Sequence, residues 1–321
     1  MDRVYDISGN VMEINFVTPE MYGAKADGIT DDSAAIQSAV NQKGLILFAA
    51  GKTYKVTSTI RVPKDTVIDL NGATILSTNK HIFYNFLEGD SYGGYNGNGN
   101  ISIINGTIIG GCISFIHGYQ IALRNLNFRN TLNDHCIEIC ACDGYEIQNC
   151  SFIGMNYISG ATLEYINIDT NATYTAFPHN PTSRYDAAFY DSSVNQNISI
   201  RDCVFALGSG TYAYGFNAIG VHSRGTAGTY NKNVFMTGNR IAGFTGCGIR
   251  INAMDNVYAA NNMIDAAGDG IRIGDVADSK NIIIMDNYVK AGNGVKLVRT
   301  DGQYTNLTVA GNATEGDDQE F

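Results

Sequence analysis

A seven-residue pattern recurs in the second half of the chain, with an asparagine at each end and mostly apolar residues between. Its gap-free copies are Asn233–Asn239, Asn256–Asn262, Asn281–Asn287 and Asn306–Asn312. The copies begin 23, 25 and 25 residues apart. Alternation of inward and outward side chains over so short a segment indicates a β-strand with one buried face. A period in the low twenties, without a helix between the copies, is typical of a β-solenoid.

A second short apolar strand follows each copy, as in Gly248–Asn252 and Gly270–Gly274. One such unit has an apolar face too small to be stable alone, so the units must stack on their neighbours. The seven-residue template also fits Asn100–Gly106, Gly144–Cys150 and Asn197–Cys203. We therefore expect one all-β solenoid over residues 45–314 rather than two domains, followed by an acidic tail over residues 315–321.

Residues 1–44 are predicted to form a lead-in and a short helix. Thr30 or Asp31 suits a helix N-cap, and an apolar stripe follows over residues 34–40. The open end of a solenoid exposes strand edges, which such a helix would cover. We therefore interpret Asp27, Asp31 and Asp32 as structural rather than catalytic.

The composition of the chain makes some classes of binding partner unfavourable. The net charge of −10 disfavours nucleic acid and anionic membranes. No apolar run approaches the length of a membrane span, and the N-terminus has no apolar core for a signal peptide. We therefore expect synthesis in a cytosol and no membrane insertion. The seven cysteines lack paired spacing, so we expect buried thiols rather than disulfides or a zinc site.

The second strand of each unit predicts a polar patch on one exterior face. Inward pairs such as Ile137/Ile139 set the register, so the residue between them points outward. These outward residues are Ser114, Glu138, Asn167, Gly220, Arg250, Arg272 and Lys296. The next outward positions include Asp169, His222 and Asn252. Because adjacent coils lie about 4.8 Å apart, we expect these polar side chains to share one patch.

The segment Tyr22-Gly-Ala-Lys-Ala-Asp27-Gly-Ile-Thr-Asp31-Asp32 resembles the opening of the pectate-lyase-like superfamily of right-handed parallel β-helices. Leu45–Phe48, Gly51–Tyr54 and Val67–Gly72 are similar to the next strands and turns of that superfamily. It includes polygalacturonases, glucanases and phage tailspike depolymerases. The resemblance implies a right-handed parallel β-helix with an N-terminal capping helix. It further implies a polysaccharide partner, a homotrimer, and a virion-tail or extracellular location.

Hydrolysis of a glycosidic bond needs one carboxyl to protonate the leaving oxygen and a second carboxylate as base or nucleophile. We expect Asp169 and Asp186 to form this pair, with Glu164 nearby and His222 assisting proton transfer. Glu164–Asp169, Tyr185–Asp186 and Ala218–His222 resemble segments that line the groove in bacterial and phage β-helix proteins. The expected substrate-binding residues are Glu138, Asn167, Tyr185, Asp191, Arg250, Asn252 and Arg272.

Three functions stay open: a glycoside hydrolase, a polysaccharide lyase of the same fold, and a non-catalytic glycan-binding tail module. None of the motifs that polygalacturonases carry on successive coils is intact in this chain. Asn133–His135 and Gly220–His222 match such motifs only in part. A hydrolase is expected to need no cofactor or metal, whereas the resemblance to pectate lyases implies calcium for a lyase. Tyr92 and Tyr95, in a loop rich in glycine and asparagine, either pack against the protein or stack on sugar rings.

Overall fold

The chain winds into a right-handed parallel β-helix with three sheets, as predicted. The computed structural model describes residues 4–5, 11–12, 16–86, 92–132, 134–156, 163–170, 191–221, 228–274, 278–291, 298–300 and 304–315. Each full coil contributes one strand to sheet 1, then one to sheet 2, then one to sheet 3. A short antiparallel pair, Val4–Tyr5 with Val11–Met12, lies before the first coil.

Every strand in the three sheets pairs in parallel with the strand of the next coil. Sheet 1 contains Phe16–Val17, Gly44–Leu47, Thr66–Asp69, Asp143–Gln148, Gln196–Arg201, Asn231–Thr237, Met254–Ala260, Ser279–Met285 and Tyr304–Ala310. Sheet 2 contains Asp27–Asp31, Thr53–Val56, Thr74–Ser77, Ser151–Met155, Val204–Ala206, Arg240–Ala242, Met263–Ala266, Tyr288–Ala291 and Ala313–Glu315. The long strands Ile101–Ile109 and Tyr119–Thr131 run through both sheets. Sheet 3 contains Ile60–Arg61, His81–Tyr84, Cys112–Ile116, Ile137–Cys140, Glu164–Asp169, Asn217–Gly220, Cys247–Ile251, Asp269–Ile273 and Val298–Thr300.

The two asparagines of the seven-residue template have different tasks. The first, at positions 233, 256, 281 and 306, has φ between 50° and 59°, a left-handed conformation that asparagine tolerates. Its side chain donates to a side-chain oxygen of a neighbouring coil, as Asn256 does to Asn233 and Asn281 does to Asp255, both at 2.7 Å. This position therefore bends the chain at the surface.

The closing asparagines form a ladder of side-chain hydrogen bonds, which is buried at Asn239, Asn262 and Asn287. The Nδ2 atom of Asn239 donates to Oδ1 of Asn262, and Asn262 donates in the same way to Asn287, at 3.0 and 2.9 Å. Asn287 continues the ladder to Asn312 at 2.9 Å. Each amide also bonds a backbone group at the corner between sheets 1 and 2, as Asn262 does with the carbonyl of Met236. The ladder therefore supplies hydrogen bonds that the sheets cannot supply where the chain turns.

The interior is apolar along the whole stack. Ile, Val, Leu and Phe side chains from all three sheets form one buried cluster, within which Phe128, Phe152 and Phe205 stack with ring centroids 4.9 and 4.8 Å apart. All seven cysteines lie in the described part of the chain, where they are buried and form no disulfide, as expected. Among the described residues, no helix has the length and apolar character needed to cross a membrane.

The predicted capping helix spans Ser33–Val40 and buries Ile36, Ala39 and Val40 against the first coils. A short 3-10 helix, Pro19–Tyr22, precedes it, and a second one spans Gly210–Tyr212. The side-chain amide of Gln37 pairs with the edge of sheet 3, because it donates to the carbonyl of Arg61 and accepts from the Arg61 N–H, at 2.9 and 2.7 Å. The helix thus covers the open end and occupies its unpaired strand edge.

The acids near the helix are structural, as interpreted from the sequence. The helix N-cap is Asp32 rather than the predicted Thr30 or Asp31, and its side chain makes no cap hydrogen bond. Asp31, the residue before it, accepts from the backbone N–H and the hydroxyl of Ser33, at 3.1 and 2.5 Å. Asp32 accepts from the backbone N–H groups of Lys25 and Ala26, and Asp27 from those of Ile29 and Thr30.

One predicted register is wrong at the last strand of sheet 3. The sequence analysis placed Lys296 beside Arg272, whereas the structure pairs Arg272 with Arg299 and Ile271 with Val298. The apolar pair Val295/Leu297 imitates the inward pattern of the earlier coils. The repeat period alone does not distinguish this pair from the observed strand, which begins three residues later at Val298. Residues 292–297 lie outside the described part of the chain.

We predict that Asn262→Ala lowers the free energy of unfolding by about 2–5 kcal/mol, because four buried hydrogen bonds of its side chain are lost. Urea denaturation followed by circular dichroism measures this loss. Asn127→Ala is the control, since Asn127 is exposed and its side chain accepts one hydrogen bond, from Ser151. Equal losses in the two variants would contradict a stabilising role for the ladder.

Candidate functional site

The outward row of sheet 3 has the predicted register. Ser114 lies beside Glu138, Glu138 beside Asn167, and Asn167 beside Gly220, on successive coils. Further along the sheet, Arg250 lies beside Arg272. In the neighbouring outward row, Ile116, Cys140 and Asp169 are in register. The stacking of coils therefore brings residues far apart in sequence to one face.

This face is shielded, whereas the strand pattern predicts a polar patch on the exterior. Only 5% of Glu138 and 8% of Asp169 is exposed, and Asn167 and Asn252 are also buried. Ile116 and Cys140 pack with Phe86 and Tyr92 in a small apolar cluster on the outside of the sheet. The chain that follows the strand His81–Tyr84 therefore covers part of the face, and Tyr92 is packed rather than presented to a ligand.

Asp134, His135 and Glu138 form a compact cluster at the start of the strand Ile137–Cys140. One donor atom from each of the three lies within 4.8 Å of the others. The Oε2 atom of Glu138 accepts from the Ser114 hydroxyl at 2.8 Å. The Nδ1 atom of His135 lies 2.5 Å from the carbonyl oxygen of Glu164. Because a carbonyl only accepts, Nδ1 carries the proton, and this bond orients the imidazole ring.

The two carboxyls of the cluster have opposite electrostatic environments. Burial raises the pKa of Glu138 well above its usual range, and the charges of Asp134 and Asp169 raise it further. Asp134 lies 2.9 Å from the ammonium of Lys80 and 3.3 Å from Nε2 of His81. Burial lowers the pKa of His81 to about 4, so this imidazole is neutral at pH 7. The site therefore contains a carboxyl with a raised pKa, Glu138, beside an aspartate that contacts a lysine ammonium.

The same donor atoms define which metal the cluster could hold. One imidazole nitrogen and two carboxylates suit Zn²⁺ or Mn²⁺ better than Ca²⁺, which takes about six to eight oxygen ligands. The ammonium of Lys80 already places a positive charge on Asp134. Calcium, the metal that the resemblance implied for a lyase, therefore fits this cluster poorly.

Glu164, expected to be catalytic, lies beneath the face. It is fully buried, and its Oε1 atom accepts from Nδ2 of Asn217 at 2.9 Å and lies 3.4 Å from Nη1 of Arg250. Gly220 makes room for this ion pair, because a Cβ atom there would lie 2.8 Å from Cγ of Glu164. Glu164 therefore positions Arg250 and does not face a ligand.

Asp191, expected to bind substrate, anchors a loop instead. Its carboxylate accepts from the N–H groups of Gly94 and Ser193, at 2.6 and 2.9 Å. Although partial burial alone would raise its pKa, these hydrogen bonds outweigh that effect and the pKa is lowered. The hydroxyl of Tyr95 donates to the carbonyl of Val194 at 2.9 Å. These contacts hold the segment 92–98, so Tyr95 serves packing rather than an open sugar platform.

The remaining expected site residues separate into two groups. Asn167, Asp169, Arg250, Asn252 and Arg272 lie on or beside the outward rows of sheet 3. Tyr185, Asp186 and His222 lie outside the described residues. The structure therefore brings Asp169 close to Glu138, whereas the expected pairing of Asp169 with Asp186 stays a prediction.

Sequence reasoning missed Asp134, Lys80 and His81 as site residues. Lys80 and His81 come from the strand His81–Tyr84 and its preceding turn, which the inward-pair alignment did not include. Tyr84 pairs with Ser114, the first residue of the predicted outward row. A row that included one more coil before Ser114 would therefore have placed this strand on the same face of sheet 3. Asp134 precedes its strand by three residues, in a turn whose path periodicity does not define.

No protein-family model matches the chain. The solved structure of the Streptococcus pneumoniae surface protein and adhesin PfbA superposes with a TM-score of 0.69 at 16% identity, over 94% of this chain and 97% of that one. A tailspike mutant of E. coli bacteriophage HK620, in complex with a pentasaccharide, superposes with a TM-score of 0.64 at 15% identity, over 97% and 56% of the two chains.

Three curated relatives match in sequence, and two of them illustrate the range. Plasmin and fibronectin-binding protein A of S. pneumoniae is 25% identical over 291 residues, which cover 76% of this chain and 38% of the relative. A capsule K30/K69-specific depolymerase of Klebsiella phage K64-1 is 47% identical over 49 residues, 15% of this chain and 6% of the relative. The chain spans less than two fifths of either relative. These likenesses establish the β-helix fold shared with phage tailspikes.

We predict that Glu164 is structural. Glu164→Leu should lower the free energy of unfolding by about 3–5 kcal/mol, since it removes one partner of a buried ion pair. Urea denaturation measures the loss. The double variant Glu164→Leu/Arg250→Leu is the control, and it should lose less than the sum of the two single variants. Strictly additive losses would show that the two side chains are not coupled.

Proposed function

We propose that the protein binds and hydrolyses a polysaccharide at the outward face of sheet 3, with Glu138 as general acid and Asp134 as its carboxylate partner. One observation carries this proposal: a carboxyl with a raised pKa lies within 4.8 Å of a lysine-paired carboxylate. Paired carboxyls whose environments separate their pKa values are a recurrent mark of acid–base chemistry.

The pair suits glycosidic bond cleavage. Glu138 donates its proton to the leaving glycosidic oxygen as the bond from the anomeric carbon breaks, and the Asp134 carboxylate attacks that carbon. Water then hydrolyses the glycosyl ester, with Glu138 accepting the proton. The separation is below the about 6.5–9.5 Å of inverting enzymes, which supports a retaining reaction. The ammonium of Lys80, 2.9 Å from Asp134, compensates the negative charge of this carboxylate in the scheme.

Neighbouring residues support this chemistry without touching the reacting bond. The charge of Asp169 disfavours ionisation of Glu138 and so keeps the acid protonated. Arg272, which lies beside Arg250 on the outward row, provides positive charge for an acidic sugar. The small exposed fractions of Glu138 and Asp169 exclude bulk water, which strengthens these electrostatic effects.

The comparisons support the substrate class. The phage relative acts on a bacterial capsule, and the HK620 tailspike mutant is in complex with a pentasaccharide. A bacterial capsular or surface polysaccharide is therefore our proposed substrate. A virion-tail or extracellular location and a homotrimeric assembly belong to the same proposal and rest on the same likeness to phage tailspikes.

We predict that Glu138→Gln lowers the hydrolysis rate at least about 100-fold, because an amide cannot donate the acid proton. Release of reducing ends from a panel of bacterial capsular polysaccharides, beginning with the Klebsiella K30 and K69 types, measures the rate. Asp202→Asn is the matched control: this carboxylate is exposed, in a left-handed position that asparagine accepts. Undiminished product release by Glu138→Gln would overturn the assignment.

Activity should persist above the pH at which an ordinary glutamate ionises. Glu138 acts when protonated, and burial raises its pKa, so the rate is retained below that pKa and lost as pH rises through it. Stability follows the same direction, since the raised pKa contributes stability below the unfolded value of about 4.3 that is lost as pH rises through the folded value. Glu138→Gln should therefore be at least as stable as the wild type above pH 7. An alkaline limb of the rate profile that is unchanged in a residually active Glu138→Gln variant would contradict this role.

A non-catalytic adhesin is the second candidate. The β-helix of PfbA, a surface adhesin, matches this chain over nearly its full length, and the acids of sheet 3 are largely buried. This candidate predicts retention of polysaccharide on immobilised protein without release of reducing ends. Retention that is equal for the wild type and Glu138→Gln, with no product from either, would favour the adhesin.

A further inference from the structure

A groove of about 690 Å³ lies on the outer face of sheet 1, away from the cluster around Glu138. Its floor crosses successive coils at the in-register positions Ser102, Ala122, Glu146 and Ser199. Three of these side chains are small, so the surface is recessed between larger neighbours. The volume is within the about 300–1,000 Å³ range of small-molecule sites.

Two arginines flank one carboxylate in this groove. The Nη2 atom of Arg124 lies 2.6 Å from Oε2 of Glu146, and Nη2 of Arg201 lies 2.5 Å from Oε1 of the same residue. Glu146 therefore holds both guanidinium groups in place. Each guanidinium has five N–H donors, so most of its donors are not used by Glu146. Two positive charges against one negative charge leave the groove cationic within a chain of net charge −10.

The rest of the lining suits a sugar. Gln120 adds an amide, and Ser102 and Ser199 add hydroxyls, which match the hydroxyl groups of a saccharide. Phe235 follows Ser199 in register on the next coil and is 40% exposed, so its ring can pack on a pyranose face. Tyr258 continues this aromatic row.

We infer that the sheet 1 groove is a second saccharide site, which binds the carboxylate of an acidic sugar through the N–H donors of Arg124 and Arg201 that Glu146 does not use. Planar guanidinium groups bind carboxylates through paired hydrogen bonds, so a uronic acid fits better than a neutral sugar. Bound here, an acidic polymer is retained on the protein at a site separate from Glu138. The inference does not depend on the hydrolysis proposed for sheet 3.

Isothermal titration calorimetry with a galacturonic acid trisaccharide tests the site, with the uncharged galactose trisaccharide as comparison. The wild type should bind the acidic trisaccharide more tightly. The variants Arg124→Gln and Arg201→Gln should each weaken this binding at least about tenfold, since each loses a charge-assisted hydrogen bond. Arg129→Gln is the matched control, because Arg129 is exposed on the same strand but lies in sheet 2.

Circular dichroism of each variant confirms that the β-helix is intact, and Glu138→Gln should bind the acidic trisaccharide as the wild type does. Loss of hydrolysis with retained binding therefore separates this site from the one on sheet 3. Absence of binding to the wild type, equal affinity for the two trisaccharides, or undiminished binding by the arginine variants would overturn the inference. Self-association of the wild type that is lost in Arg124→Gln would identify a second copy of the chain as the occupant and also overturn it.

Discussion

Hydrogen bonding between successive coils is the constraint on which the rest of this molecule depends. Each coil buries too little apolar surface to be stable alone, and its strand edges and corners need partners on both sides. Strand ladders satisfy the flat segments, and the amides of Asn239, Asn262 and Asn287 satisfy one corner by bonding to one another and to the backbone. At the first coil, Gln37 replaces the missing strand.

The same stacking concentrates chemistry. Residues 24 or more positions apart become neighbours when their coils adjoin, as Ser114 and Glu138 do, and a third coil adds Asn167. Burial under the shielding surface raises the pKa of Glu138, and the nearby charges of Asp134 and Asp169 raise it further. Lys80 compensates the charge of Asp134 from an earlier coil. The site is thus a consequence of coil spacing combined with limited access to water.

The charged side chains on the two polar faces of the β-helix lie in different environments. On sheet 3, Glu164 and Arg250 form a buried ion pair, and burial raises the pKa of Glu138. On sheet 1, the Arg124–Glu146–Arg201 group lies in an open groove, where the pKa of Glu146 is lowered chiefly by its hydrogen bond with Arg124. A shielded face suits proton transfer, whereas an open cationic groove suits ion recognition. One scaffold therefore presents two kinds of polar surface.

The sequence by itself determined the repeat, the all-β solenoid, the capping helix and the outward row from Ser114 to Arg272. All of these follow from local periodicity, since side-chain direction alternates along a strand and the coils repeat. Tertiary structure alone decided that Glu138 is shielded, that Glu164 is held by Arg250 and Asn217, and that Asp191 anchors Gly94. It also brought Lys80 to Asp134. Burial, ion pairing and pKa depend on which irregular segments cover a face and on how far side chains reach between coils. The periodicity of the sequence gives no information on either of these.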